Sequence, residues 1–488
     1  MKTGSDPTAG KRVVGVVGGG ITGLTAAYCL YQAAQQQNLP LELKLLEATD
    51  CVGGLIQTTT ENGFVMERGP DAFITIKPWA FQLCQDLGIA DQLISPNPNF
   101  PRSFIVRAGK LYPVPEGFYL MAPTALWPFV ITPIFSWRGK LRMAMDLFLP
   151  PSVQDTDESL EDFVVRRLGR EAFERMAQPM IGGIYSANPK GLSLKATMPQ
   201  FLQLEQRFGS IIRALVETTS ARRAGGARYS IFRTFPTGMR TLVDRLVQTL
   251  PLSSVQTKVT VIGLRRQQGE EEDQTLPKWE IHCDDGQSLV VDAVCMALPA
   301  VQTAKLLTSF VPEVAKLLKT IPYTSSATIN LAFERSQIGH RLDGMGFVVP
   351  AIENQSITAC TFSSLKFPYR APEGKVLLRA FAGGALQQDL LERSDPDLLE
   401  SVLSDLCQLL QIEGIPIFSR ITRWTASPQY HLGHLDRISQ IETEVSKIHG
   451  LELAGNAFHG IGIPDCVRSA NQAAGAILQY LFSLPLTR

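Results

Sequence analysis

The chain has 488 residues, 45% hydrophobic and 19% charged, the balance of a large globular protein of about two to four domains. Its 46 basic and 46 acidic residues cancel, so no global field draws it to nucleic acid, and attraction for anions must come from local patches. Met1–Gly10 is polar and does not read as a secretory signal, and a cytoplasmic protein is expected.

The first predicted element is a strand over Arg12–Val17, followed by Gly18-Gly19-Gly20-Ile21-Thr22-Gly23 and a small-residue, apolar helix from Leu24. Strand, turn and helix in that order, with G-x-G-x-x-G spacing, form a dinucleotide fingerprint. The first glycine permits the tight turn, the second lets the backbone approach a pyrophosphate, and the third lets helix pack on strand. Phosphates would meet unpaired N–H groups at the helix N-terminus. Leu41–Leu46 reads as the next strand and ends on Glu47, placed to accept both ribose hydroxyls and to repel a 2′-phosphate. That favours FAD or NAD over NADP. The bland alternative is a chance turn between buried elements.

Asn97 to about Arg223 forms a different region. Its centre, Phe118–Phe135, is strongly apolar, but Pro123, Pro128 and Pro133 would break a single spanning helix. Arg138, Lys140 and Arg142 follow, then Met143–Phe148. The stretch either lies in a membrane interface or covers an internal apolar pocket. Val255–Ile262 and Trp279–Cys283 read as strands around an exposed loop, Gln267–Pro277, and Ser288–Ala297 as a β-branched run. From Leu306 to Arg420 the pattern alternates as in an antiparallel sheet, through Ala327–Phe333, Gly346–Val349, Ile357–Phe362 and Val376–Phe381. Asp397–Leu410 then reads as an amphipathic helix. Leu451–Asn456 is another strand into a glycine turn, followed by Gly460–Asp465 and an Ala-rich helix, Val467–Phe482. Three separated segments share one style, so the simplest assembly is a single nucleotide-binding domain with other domains inserted, an α/β protein.

The eight cysteines form no C-x-x-C and no zinc-like cluster, and Cys29, Cys295 and Cys407 read as core fillers. His431 and His434 are close together but lack carboxylate or cysteine spacing, so no metal is expected. No Gly-x-Ser-x-Gly or Cys–His arrangement is present. The chemistry is expected to come from a cofactor.

Gly18, Gly20 and Gly23 with Glu47, the pair Gly53-Gly54 and the later Ala454-Gly455 resemble the amine-oxidase-type FAD superfamily. Leu55 stands where many members carry Arg, and no cysteine motif for covalent attachment is seen, so the FAD is expected to be non-covalent. Along nearly its full length the chain is similar to the oxygen-dependent protoporphyrinogen and coproporphyrinogen oxidases. The resemblance is carried by Glu67–Ala72, Met180–Tyr185, Phe235–Met239, Gly346–Pro350, Thr361–Ser364 with Phe367-Pro368, and Gln429–His434. Pro189–Leu194 resembles the family's helical insert. Leu39–Leu43, Ile357–Cys360 and His434–Ile438 look like the Gram-positive-type enzymes, which leans towards coproporphyrinogen III.

The resemblance implies an α/β fold with a Rossmann-like FAD-binding domain assembled from residues 1–96, 224–305 and 421–488. It implies a helical insert over 97–223 that could contact a membrane, and an antiparallel-sheet substrate-binding domain over 306–420. Its FAD contacts fall on Gly18, Gly19, Gly20, Ile21, Thr22 and Gly23, on Glu47, Ala48 and Leu55, and on Gly69, Pro70, Asp71 and Ala72. Val259, Trp424, Ile463, Pro464 and Asp465 complete them. Val259 and Ile463 would act through their backbones. Trp424 could instead be an ordinary buried aromatic, and Asp465 a helix N-cap.

Arg107 matches the family's partner of a substrate propionate, suited by its planar fork, or is a surface arginine in a hairpin. Phe362 matches an aromatic that stacks on a pyrrole ring, and Val348 lies near the apolar contact on the opposite ring face. Both could be plain core. Gly183 lies beside the family's substrate entrance, or is a helix C-cap glycine.

The implied activity is six-electron, oxygen-dependent oxidation of coproporphyrinogen III or protoporphyrinogen IX to the porphyrin in heme biosynthesis, with release of hydrogen peroxide. The implied partners are the tetrapyrrole, dioxygen, and either the inner face of the cell membrane or the next heme-pathway enzyme. A homodimer fits, and nucleic acid does not. Two rivals stay open: a related FAD oxidase of amines or carotenoids, and a flavin-binding scaffold without turnover.

Overall fold

The computed structural model describes residues 11–119, 121–152, 156–222, 231–267 and 277–483, so most of the expected Gln267–Pro277 loop lies outside it. Five short strands far apart in the chain form one parallel sheet: β1 (Arg12–Val17), β2 (Leu41–Leu46), β3 (Val255–Gln256), β4 (Ala293–Met296) and β5 (Leu451–Leu453). Their order is β3-β2-β1-β4-β5. Parallel strands are covered on both faces, which is why β1 and β4 read as unbroken apolar runs. Val14, Val16, Leu43, Leu45, Ala293 and Cys295 face the helices α1 (Ile21–Gln37) and α2 (Ile463–Phe482). Val17, Leu46, Val294, Met296 and Leu451 face the other way. There they meet a three-stranded antiparallel sheet of Val261–Arg266, Trp279–Cys283 and Ser288–Val291.

Two expected strands are each divided between these sheets. Val255–Ile262 breaks at Lys258, whose φ is +59°, and the amides of Lys258 and Val259 donate to Thr49 O and Glu47 O. Ser288–Ala297 breaks at Asp292, whose carboxylate accepts from Val13 N at 2.7 Å and Arg12 Nη1 at 3.2 Å. Local pattern could not mark either break, since the hydrogen bonds that fix them come from distant segments.

A seven-stranded sheet forms the second layer, in the order Phe418–Pro428, Tyr323–Glu334, Lys375–Gly383, Ile357–Phe362, Gly346–Val348, Phe104–Arg107 and Lys110–Pro113. All pairs are antiparallel except Gly346–Val348 with Phe104–Arg107. The sheet thus takes two strands from the insert expected over 97–223 and one that crosses the boundary expected at 421. Its alternating residues Ile329, Leu331, Val376, Leu378 and Ala380 bury against the helix Asp395–Leu410, which begins two residues earlier than expected under the Ser394 side-chain cap.

The stretch Phe118–Phe135 becomes a short hairpin and a helix, Leu126–Ile131. Phe118, Phe129, Ile134 and Phe135 bury in the core of the helical region, so those side chains are interior. Trp127 and Ile131 point outward. Among the described residues no helix is long and apolar enough to cross a membrane.

Candidate cofactor and substrate site

The glycine turn after β1 is closed on two sides and open on one. A Cβ on Gly18 would lie 2.5 Å from Ala297 O, and one on Gly23 would lie 1.8 Å from Gly18 O. Nothing lies within 4 Å of a Cβ on Gly20, so the backbone there is free to meet a ligand. Helix α1 starts at Ile21 with no side-chain cap and no acidic residue in its first turn, which leaves the N–H groups of Ile21, Thr22 and Gly23 to an outside anion. Glu47, at the end of β2, accepts from Gly19 N at 2.7 Å, Thr49 N at 2.9 Å and Thr49 Oγ1 at 2.7 Å. Those bonds fix its rotamer beside exposed Ala48 and beside Val259, whose amide donates to Glu47 O. Gly53 N donates to Gly19 O at 2.8 Å and binds the second glycine pair to the first turn.

A second backbone segment, Gly69–Ala72, is held by charge. A Cβ on Gly69 would lie 1.8 Å from Leu55 O, so this crossing admits only glycine, and Leu55 leaves its side chain exposed beside it. Arg379 donates to Gly69 O from beneath. Thr328 Oγ1 and Trp424 Nε1 each donate to Arg68 O at 2.8 Å. Trp424 is therefore partly exposed and hydrogen-bonded, not an ordinary buried aromatic. Asp71 pairs with Lys366 at 2.7 Å. Burial alone would raise the Asp71 carboxyl, but Lys366 and then Arg379 outweigh it and hold it down to about 2. Glu67 goes the other way: burial pushes it up against the pull of Arg370.

The C-terminal contact segment opens α2. Gly462 is the N-cap and Pro464 lies in the first turn, so Asp465 is the third helical residue and not a cap. Its buried carboxylate pairs with Lys77 at 2.7 Å, near the positive end of the helix dipole.

Strand register sorts the substrate candidates. Ile105 pairs with Val348, Val348 with Ala359, Ala359 with Phe381, Phe381 with Thr328, and Thr328 with Thr422. Paired residues share a face, so these six form one row across the sheet, on the side of the helical region where Ile105 buries and Val348 packs. Arg107, two residues beyond Ile105, lies on the same face. It makes no ion pair among the described residues. Burial, and next the Arg107 charge, lower the Lys140 ammonium, so Arg107 is within electrostatic reach of that region.

Phe362 departs from the expectation. It shares the opposite face with Phe347 and Cys360, fully buried against the helix Asp395–Leu410 and edge-on to Phe347. The structure therefore does not bring Phe362 and Val348 to two sides of one ligand.

Partly exposed aromatics on the Val348 face include Tyr112, paired with Ile105, and Trp424, two residues beyond Thr422; between them lies Phe381, which sequence reasoning missed. A signal was present: in Lys375–Gly383 the even positions are apolar, while Arg379 and Phe381 fall on the odd, polar side. The guanidinium carbon of Arg379 lies 4.7 Å from the Phe381 ring centroid.

Gly183 lies inside the helix Gln178–Tyr185, whose C-cap is Ser186, so the C-cap alternative is also corrected. That helix packs against the strands carrying Val348 and Phe362. Gly183 is exposed, with nothing within 4 Å of a Cβ placed there. Of the basic trio, Lys140 is buried with its ammonium on Val130 O, and Arg142 donates to the carbonyls of Val165, Arg166 and Arg167. Arg138 alone is exposed. Among the described residues no group of three or more His, Cys, Asp or Glu could hold a metal.

A bare helix N-terminus, an acidic strand end and two neighbouring glycine-restricted backbone segments fit a dinucleotide cofactor. The family described as flavin containing amine oxidoreductase matches residues 21–478. The chain belongs to this family. Within it, the chain is 38% identical over 481 residues to the coproporphyrinogen III oxidase of Bacillus subtilis, spanning 97% of this chain and 99% of that one. It is 28% identical over 508 residues to protoporphyrinogen oxidase 2 of Arabidopsis thaliana, spanning 98% and 96%. A solved Exiguobacterium structure, provisionally assigned as a protoporphyrinogen oxidase, superposes with a TM-score of 0.83 at 32% identity, covering 96% of this chain and 98% of that one. Putrescine oxidase with bound putrescine, at 16% identity, TM-score 0.68 and coverage of 96% and 99%, shares the fold of this flavin family.

Proposed function

We propose that this flavin-family chain is a FAD-dependent porphyrinogen oxidase of heme biosynthesis, taking coproporphyrinogen III in preference to protoporphyrinogen IX. The observation that carries the reading is the row on one sheet face. The Arg107 guanidinium, without an ion pair among the described residues, stands at one end, apolar Val348 and aromatic Phe381 in the middle, and the Gly69 segment, through Thr328, at the other. A flat apolar ring with carboxylates only on its rim matches that order. The 38% identity to a coproporphyrinogen III oxidase supports the choice of tetrapyrrole.

In this reading the parallel sheet with α1 and α2 is the Rossmann-like FAD domain, formed by 1–96, 224–305 and 421–488, with 97–223 the helical insert and 306–420 the main body of the substrate domain. Gly18–Gly23 hold the pyrophosphate and Glu47, beside Ala48, the ribose. Leu55, Gly69–Ala72, Val259, Trp424 and Ile463–Asp465 border the rest. The chemistry that FAD supplies when bound is hydride acceptance from a meso carbon and reoxidation by dioxygen, with peroxide released. The protein's own part is positional. Arg107 pairs with a propionate and sets which meso carbon is presented, Val348 and Phe381 floor the ring, and bare Gly183 leaves room at the entrance. No side-chain nucleophile takes part.

The outward face of the insert carries Trp127, Trp137 and Phe148, which are 73%, 68% and 87% exposed, with Arg138 among them. We assign it to peripheral contact with a membrane surface, made by insertion of apolar side chains more than by charge.

The test is anaerobic mixing of the holoenzyme with coproporphyrinogen III, protoporphyrinogen IX and an amine in turn. Rapid flavin bleaching by coproporphyrinogen III, slower by protoporphyrinogen IX and none by the amine is expected. Bleaching by the amine alone, or by none of them, would overturn the reading.

A further inference from the structure

Gln429–His434 lies outside both the expected cofactor contacts and the substrate row, yet it grips the turn that leads into α2. Strand β5 ends at Leu453 and α2 begins at Ile463; Ala454 N still donates to Met296 O and Gly455 N to Ser469 Oγ, both at 3.0 Å, and Asn456–Gly460 lie beyond the ladder. Within this turn Gly460 has φ +144°, and a Cβ there would lie 2.3 Å from Asp465 Cγ.

The Tyr430 hydroxyl spans the turn: it donates to Asn456 O at 2.6 Å and accepts from Gly460 N at 2.8 Å. Between those two anchor points His434 donates from Nε2 to Phe458 O at 2.9 Å. The two rings stack, 4.0 Å between centroids and 14° from parallel, and both side chains are buried. Three backbone groups of one turn are thus fixed by two stacked side chains four residues apart. The same segment is anchored elsewhere. Gln429 Nε2 donates to Tyr185 O at 3.0 Å, at the end of the helix that carries Gly183. Tyr430 O accepts from Ser193 N at 2.8 Å.

We propose that Tyr430 and His434 are positioning residues for the cofactor: a stacked clamp that fixes the Asn456–Gly460 turn, and through it the uncapped start of α2, against bound FAD. Gln429 ties that clamp to the helix at the substrate entrance. The proposal rests on the FAD reading above. A buried tyrosine serves packing equally well without its hydroxyl, so the phenolic oxygen is what sets the turn. It makes one donated and one accepted bond, both to the turn.

The experiment compares the holoenzyme with Tyr430→Phe and His434→Gln, reading the FAD dissociation constant, the visible circular dichroism of the flavin, and kcat apart from KM. Tyr430→Phe keeps the stack and loses both hydroxyl bonds. It is expected to weaken FAD about ten-fold, alter the flavin dichroism and lower kcat with less than a two-fold change in KM. His434→Gln keeps an N–H for Phe458 O and is expected to stay within about three-fold of wild-type affinity. A purely structural role predicts a lower melting temperature of the apoprotein with FAD affinity and dichroism as in wild type, and that result in Tyr430→Phe would overturn the clamp. If Tyr430→Phe does not fold, weakening of FAD well beyond three-fold in folded His434→Gln would overturn the assigned role of the Phe458 bond. A wild-type chain that holds no FAD would instead defeat the cofactor reading itself.

Discussion

Val348 and Phe362 lie on neighbouring strands of one sheet and face opposite sides of it. In the proposed function the aromatic floor is therefore Phe381, in the same row as Val348. Phe381→Ala should lower kcat/KM for the porphyrinogen about ten-fold or more while leaving FAD content intact, from loss of roughly 1.5–3 kcal/mol of apolar contact. Phe362→Ala should do the reverse, costing about 3–5 kcal/mol of stability with little change in kcat/KM of the folded fraction. Steady-state kinetics beside denaturant melts decide it. The exchanged pattern would return Phe362 to the ligand.

Arg107 stands at the end of that face without a carboxylate partner among the described residues. Arg107→Ala should keep fold and FAD while losing roughly ten- to a hundred-fold in kcat/KM, the worth of a charged hydrogen-bonding pair at about 1.5–3 kcal/mol. Arg107→Lys should recover only part, because an ammonium lacks the planar fork. An esterified substrate should hardly distinguish wild type from the alanine variant. Wild-type kcat/KM on the free acid would make Arg107 a surface residue.

Glu47→Ala removes the acceptor held ready at the end of β2. FAD retention should fall by roughly ten- to a hundred-fold, as charge-assisted bonds to the ribose are worth about 1.5–3 kcal/mol each. Denaturation of the wild type should release all the flavin into the supernatant. Flavin left on the precipitated chain would contradict non-covalent binding.

Glu452 sits opposite Cys295 on the helix-covered face of the parallel sheet, and burial raises its carboxyl from 4.5 to about 7. The folded state then holds the proton more tightly than the unfolded chain between those values. This contribution to stability falls as pH rises through that window and is fully lost above it. Glu452→Gln should match wild type near pH 4 and exceed it near pH 8 by up to about 3 kcal/mol. Urea melts at the two pH values measure this. An equal difference at both would show that the carboxyl titrates normally.

The outward aromatics of the insert give a membrane test. The wild-type chain should float with anionic liposomes, and Trp137→Ser with Phe148→Ser should abolish flotation. Salt should weaken binding only modestly, because of the basic trio beside these aromatics Lys140 and Arg142 are engaged inside the protein and Arg138 alone is exposed. No flotation of the wild type at low salt would remove the membrane from the proposal.

Much of the site was legible in the residues. The spacing of Gly18, Gly20 and Gly23 states a backbone requirement, and the collision at Gly23, with Gly18 O, lies within the turn itself, whereas the one at Gly18 is with the distant Ala297 O. The apolar runs of β1 and β4 likewise report burial on both faces. What escaped was decided by partners far along the chain. The break at Asp292 depends on Val13, 279 residues away. The Asp71–Lys366 pair and the contact of Arg379 with Gly69 join segments roughly three hundred residues apart.

The sequence by itself determined the element types, the cofactor turn, the acidic strand end and the family, because these depend on neighbours within a few residues and on spacing. Tertiary structure alone decided which face of the seven-stranded sheet each strand residue takes, and so separated Phe362 from Phe381. Alternation divides a strand into two sides but does not name them. Both aromatics lie on alternating strands, and only pairing with neighbouring strands, with the helix Asp395–Leu410 covering one face and the helical insert the other, turns Phe362 into core and leaves Phe381 partly exposed on the other face.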